Sequence, residues 1–170
     1  MIKIVLNLFP KLMKKLLLLL LFSSNYIHSQ VLTFETLEKV SGKYYTDIQA
    51  SLLINQFELL SIDNASKKLT YQYIPKDNSD IGNKFCYIWR NDDDKAETIT
   101  YFTTNLKEFI NWKKALLIKN YKSKPLVKEG SDTKEWFYTK NILVKILHKQ
   151  LPATNGNTID AYLITFIKKK

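Results

Sequence analysis

A nucleophile, a base or a metal centre would have to be assembled here from very few side chains. Downstream of residue 29 the chain holds one histidine, His148, one thiol, Cys86, and four glycines, Gly42, Gly82, Gly130 and Gly156. Zinc motifs built on histidine pairs or cysteine clusters are therefore ruled out, and neither a Gly-x-Ser-x-Gly turn nor a glycine-rich phosphate cradle is present. His148 alternates with Ile146, as side chains on one strand face do, so it reads as a packed or edge histidine rather than a general base. Cys86 lies in the run Phe85-Cys86-Tyr87-Ile88-Trp89, the setting of a small buried hydrophobe, and a single thiol closes no internal disulfide. Asp92-Asp93-Asp94 is the densest acidic cluster, but it lacks the glycine-centred wrapped loop of a calcium site and reads as a solvated hairpin turn. No catalytic residue, metal ligand or cofactor-binding residue is assigned.

Strand aromatics are the remaining signal: Tyr71, Tyr73, Tyr87, Trp89, Tyr101, Trp136, Tyr138 and Tyr162. Most belong to a core. If helices cover only one face of a sheet, the rings on the other face make a protein-recognition surface, and Tyr71, Tyr73, Trp136, Tyr138 and Tyr162 are the candidates for it. Nucleic acid is a poor fit, because it calls for arginine among stacked rings and Arg90 is the sole arginine. The formal charge of +10 falls to +6 once Lys3, Lys11, Lys14 and Lys15 are set aside, leaving 22 basic against 16 acidic residues. The lysines at 113, 114, 119, 122 and 124 gather around the end of a helix, where they complement its dipole.

The elements that must position these side chains follow from periodicity. The clearest is a helix over 105–120, with Leu106, Phe109, Ile110, Leu116 and Leu117 at three-and-four spacing, Asn105 as its cap and Glu108 completing a capping box. Asn120 ends it as a residue that tolerates the left-handed conformation. A second helix over 44–55 carries Tyr45, Ile48, Leu52 and Leu53, and a short one over 32–38 opens with a capping threonine, Thr33. Alternating patterns then predict strands over 57–62, 69–74, 85–90 and 97–103, and again over 121–128, 134–139, 142–149 and 159–167. Leu52 matches Leu116 and Phe57 matches Tyr121 at an offset of 64, while Tyr73 matches Tyr138 and Ile99-Thr100 matches Ile164-Thr165 at 65. The expected fold is α+β, two tandem units of one helix plus a four-stranded antiparallel sheet, over 31–104 and 105–170, with the short extra helix in front. A polar loop over 75–84 lengthens one turn of the first unit. A unit of about seventy residues is marginal alone, so the two pack together.

Ahead of these units, Lys14-Lys15, the apolar run to Phe22 and the small Ser29 before Gln30 have the order of a secretory signal over 1–29. Met13 begins a complete signal by itself, so 1–12 reads as an over-extended start. The apolar run is short for a bilayer span. An exported protein, periplasmic or extracellular and without a stable membrane span after cleavage, is expected. With its opening LTFETLEKV, the repeated helix-plus-four-strand pattern resembles small secreted bacterial tandem-repeat proteins of uncharacterised function. In layout it is similar to the β-lactamase inhibitor protein family. These features together imply a non-catalytic exported protein that recognises another protein or envelope component. The competing expectation is a small-ligand carrier or enzyme, with a pocket between the two units and the 75–84 loop at its mouth.

Overall fold

The computed structural model describes residues 32–75, 84–153 and 156–169. The signal-like segment over 1–29 and most of the 75–84 loop lie outside the described residues. Within them the chain is α+β, with three helices and one nine-stranded antiparallel sheet. The helices are α1 (Phe34–Val40), α2 (Tyr45–Ile54) and α3 (Leu106–Ile118). The strands are β1 (Phe57–Asp63), β2 (Lys68–Tyr73), β3 (Lys84–Arg90), β4 (Ala96–Thr103), β5 (Lys122–Ser123), β6 (Val127–Glu129), β7 (Asp132–Tyr138), β8 (Ile142–Pro152) and β9 (Thr158–Lys168).

Each helix begins and ends for local reasons. Thr36 N–H donates to Thr33 Oγ1 at 3.2 Å at the start of α1, and Glu108 N–H donates to Asn105 Oδ1 at 3.2 Å at the start of α3. The reciprocal half of the expected capping box is not made: Asn105 N–H donates instead to Thr103 Oγ1 at 3.1 Å, and the Glu108 carboxylate turns into the sheet. α3 closes on Asn120 in the left-handed region, φ 56°, with Asn120 N–H on the Leu117 carbonyl and Tyr121 N–H on the Leu116 carbonyl. That pair of bonds satisfies two orphan carbonyls. Gln56, at φ 65°, ends α2 in the same backbone conformation, and the next residue is again a buried aromatic, Phe57 there and Tyr121 here.

The sheet runs in the order β1-β2-β3-β4-β9-β8-β7-β5, with β6 also paired to β7. Successive hairpins build β1 to β4 and β7 to β9, and the two runs meet where β4 pairs with β9. Thr100 stands opposite Thr165 at the centre of that pairing, with Ile99 opposite Phe166 and Tyr101 opposite Ile164. The strand predicted over 121–128 is split into β5 and β6, because Pro125 has no N–H to give the ladder. The sequence match of Tyr73 with Tyr138 does not survive: Tyr73 is buried on one face, whereas Tyr138 sits beside the buried Phe137 and points to the other. A displacement of one residue is enough to exchange faces.

All three helices lie against one face. Phe34 of α1 meets Phe166 of β9 with ring centroids 5.3 Å apart, Trp112 of α3 stacks on Tyr101 of β4 at 4.9 Å, and Phe109 stacks on Tyr162 at 4.1 Å. Ile48 and Leu52 of α2 are fully buried in the same core, which includes Tyr71, Cys86, Ile88, Val144 and Ile164. β3 is an interior strand and apolar on both sides, and the described helices cover the face that carries Cys86 and Ile88.

Candidate interaction surface

Cross-strand pairing orders the other face of the sheet. Reading across β2, β3, β4, β9, β8 and β7, one row is Lys68, Trp89, Thr98, Ile167, Leu143 and Tyr138. The middle row is Thr70, Tyr87, Thr100, Thr165, Lys145 and Trp136, and the third is Gln72, Phe85, Phe102, Leu163, Leu147 and Lys134. Two apolar rows thus flank a middle row of hydroxyls and rings. Their large apolar side chains are all half-buried, shielded by their neighbours in the sheet and by none of the ring contacts that the described helices make. They are too exposed for core and too contiguous for scattered surface residues.

The rings on this face hold one another in place. Phe85 and Tyr87 stack at 6.1 Å with planes 16° apart, Phe85 meets Phe102 at 5.8 Å, and Tyr87 meets Trp89 at 6.2 Å. The Lys68 ammonium lies 4.6 Å from the Tyr87 centroid and 5.3 Å from that of Trp89, within cation–π range. Thr100 and Thr165 share a hydrogen bond, Oγ1 to Oγ1 at 3.0 Å, in the middle of the face. Burial among these neighbours pushes the Tyr87 phenol up from its ordinary pKa, so it stays protonated at neutral pH.

Of the five aromatics selected from sequence, Trp136 and Tyr138 lie on this face. Tyr71, Tyr73 and Tyr162 do not. They are 1, 5 and 3% exposed beneath the helices, and their alternation places them in the core. Phe85 and Phe102 were missed, and Tyr87 and Trp89 were noted but not selected. The odd-numbered positions of the Phe85 to Trp89 run were the available signal, since a strand that is apolar on both sides needs something to cover its second side.

Two other clusters contain the chain's reactive groups. His148 Nε2 lies 2.9 Å from Asp160 Oδ1, and its ring stacks on Tyr162 at 4.9 Å, which in turn stacks on Phe109. This is the packed histidine that the strand pattern implied. The second cluster was not anticipated. Glu108 Oε1 accepts from Tyr101 Oη at 2.8 Å, Glu108 Oε2 accepts from Thr103 Oγ1 at 2.6 Å, and Lys84 Nζ lies 3.8 Å from the same carboxylate. Lys84 is 2% exposed and its ammonium sits 4.6 Å from the Tyr73 centroid, so the cluster ties α3 to β3 and β4 behind a closed surface. Cys86 is completely buried, and desolvation pushes its thiol far above the usual range. That makes it a poor nucleophile.

The three aspartates occupy the β3–β4 turn as expected, each near a cation: Asp92 with Lys67, Asp93 with Lys95 at 3.9 Å and Asp94 with Arg90 at 3.0 Å. An open groove runs between α1 and α2, bordered by Glu35, Lys39, Lys43 and Asp47. It lies on the helices and involves none of the sheet rings. Among the described residues, no helix is long and apolar enough to cross a membrane. No protein-family model, curated protein or solved structure matches this chain.

Proposed function

We propose that this is an exported, non-catalytic binding protein that recognises another protein or an envelope component through the face of its sheet that the described helices leave open. The observation that carries this reading is a face of half-buried apolar side chains, with Phe85, Tyr87, Trp89 and Phe102 on β3 and β4 and Trp136 and Tyr138 on β7 joined by the aliphatic side chains of β9 and β8, and with none of the described helices over it. Rigid aromatics of this kind supply binding energy at small entropic cost. The competing carrier or enzyme reading draws no support from His148, which is engaged by Asp160 and Tyr162, or from Cys86, which is inaccessible. Affinity capture from the native envelope tests the proposal when run with wild-type protein beside a folded Tyr87→Ser/Trp136→Ser variant. A partner retained by the wild type and by His148→Ala, and lost from the double variant, is expected. A partner that the double variant retains in full would refute the proposal.

We further infer that residues 31–104 and 105–170 are two copies of one unit, joined last strand to last strand. Support comes from the matching left-handed ends of α2 and α3, from the equal and complete burial of Leu52 and Leu116, and from Thr100 opposite Thr165 at the join. Leu52→Ala and Leu116→Ala are expected to destabilise the protein equally, by about 3 kcal/mol each in urea denaturation. Costs differing by more than about twofold would argue against equivalent environments.

A further inference from the structure

Between β2 and β7 the three rows of the open face contain no aspartate or glutamate, yet they contain three lysines; the rows reach acids at the β1 edge, Glu58 opposite Gln72 and Asp63 opposite Lys68. Lys134 is already paired with Glu129. Lys68 rests on Tyr87 and Trp89, with Asp63 opposite it across β1 and β2 but occupied by Ser66 and the Ala65 amide. Lys145, in the middle row between Trp136 and Thr165, makes no ion pair or hydrogen bond with any described residue. An ammonium in that position is wet while the face is open. Anything that covers the aromatic rows must also cover it, and a buried, unpaired cation costs several kcal/mol unless the occupant brings a carboxylate.

Building on the recognition reading above, we propose that the occupant is an acidic segment of a partner protein, with apolar side chains beside its carboxylate. The carboxylate meets Lys145 next to Trp136, and the apolar side chains lie along the rows of Phe85–Phe102–Leu163–Leu147 and Trp89–Ile167–Leu143–Tyr138. Size favours a segment over a second globular copy. Six strands about 4.8 Å apart and three rows about 6.8 Å apart make a patch on the order of 500 Å², short of the roughly 800 Å² per partner of a standard stable interface. A second copy placed face to face would bring the same lysines, with Glu58 and Asp63 at the β1 edge and Asp132 already held by Lys149. A lipid surface would call for the reverse arrangement, with apolar groups projecting deepest and lysines at the rim.

The test uses protein expressed from the full chain and a phage-displayed library of random dodecapeptides as the probe. Enriched peptides are expected to carry aspartate or glutamate beside leucine or an aromatic residue. Lys145→Glu should weaken a chosen peptide by roughly tenfold or more, with Lys145→Met intermediate, both variants keeping the wild-type circular dichroism spectrum. Peptides without net negative charge, or no enrichment at all, would overturn the proposal. So would retention on phosphatidylglycerol vesicles or self-association in sedimentation that Lys145→Glu abolishes. If Tyr87→Ser/Trp136→Ser removes peptide binding while Lys145→Glu leaves it intact, the face still binds but the acidic occupant is wrong. If neither variant matters, the recognition face fails as well.

Discussion

The two faces of the sheet use similar side chains to opposite ends. Beneath the helices, Phe34, Trp112, Tyr101 and Phe166 interlock from two layers, and each is less than one-twentieth exposed. On the open face, the ring contacts of Phe85, Tyr87, Trp89 and Phe102 among the described residues run along and across the strands. A ring packed from above and from the sides loses nearly all its water and contributes its full transfer free energy to folding. A ring packed only from the sides keeps part of that free energy unspent until something docks. Aromatic content alone therefore says little about function. What lies above the ring decides.

The comparison breaks most visibly at tryptophan. Trp112→Ala, on the helix side, is expected to cost about 4 kcal/mol in urea denaturation, since it leaves a cavity between α1, α3 and the sheet. Next in size is Glu108→Gln, about 3 kcal/mol by the same measurement, because it strips the buried Lys84 of a charged partner while leaving the shape intact. Trp136→Ala, on the open face, should cost no more than about 1 kcal/mol, the scale of a cross-strand pair. A Trp136 variant as unstable as the Trp112 variant would mean that the face is not open, and a neutral Glu108→Gln would mean that the buried cluster is not an ion pair at all.

Much of the fold was legible because local chemistry repeats it. Thr33 and Asn105 cap helices as their types suggest, Asn120 turns left-handed, and the eight predicted strands all form, one of them broken at Pro125. Facing was not legible. Tyr71 and Tyr73 sit at odd positions of β2 and Tyr87 and Trp89 at odd positions of β3, yet the first pair is core and the second is surface. Only the register between strands, Tyr71 opposite Cys86 and Thr70 opposite Tyr87, decides which alternate belongs where. The role of Glu108 was hidden for a related reason. Its sequence position made it half of a capping box, and only the return of β3 and β4 beneath α3 supplied Tyr101, Thr103 and Lys84 as better partners.

The join between β4 and β9 has a consequence for the order in which the sheet can be made. β3 and β4 follow one another closely and can pair as soon as both exist, but the other edge of β4 is completed by β9, the last strand in sequence order. Until β9 has been synthesised, Thr98 to Thr103 present an unsatisfied row of backbone groups beside exposed Ile99 and Tyr101. A half-made chain is then an open sheet edge, the kind of surface that pairs with whatever strand it meets. Closing the seam is a long-range event that arrives late and slowly. Whatever keeps a nascent chain apart from its neighbours during that interval protects this one hydrogen-bonded seam.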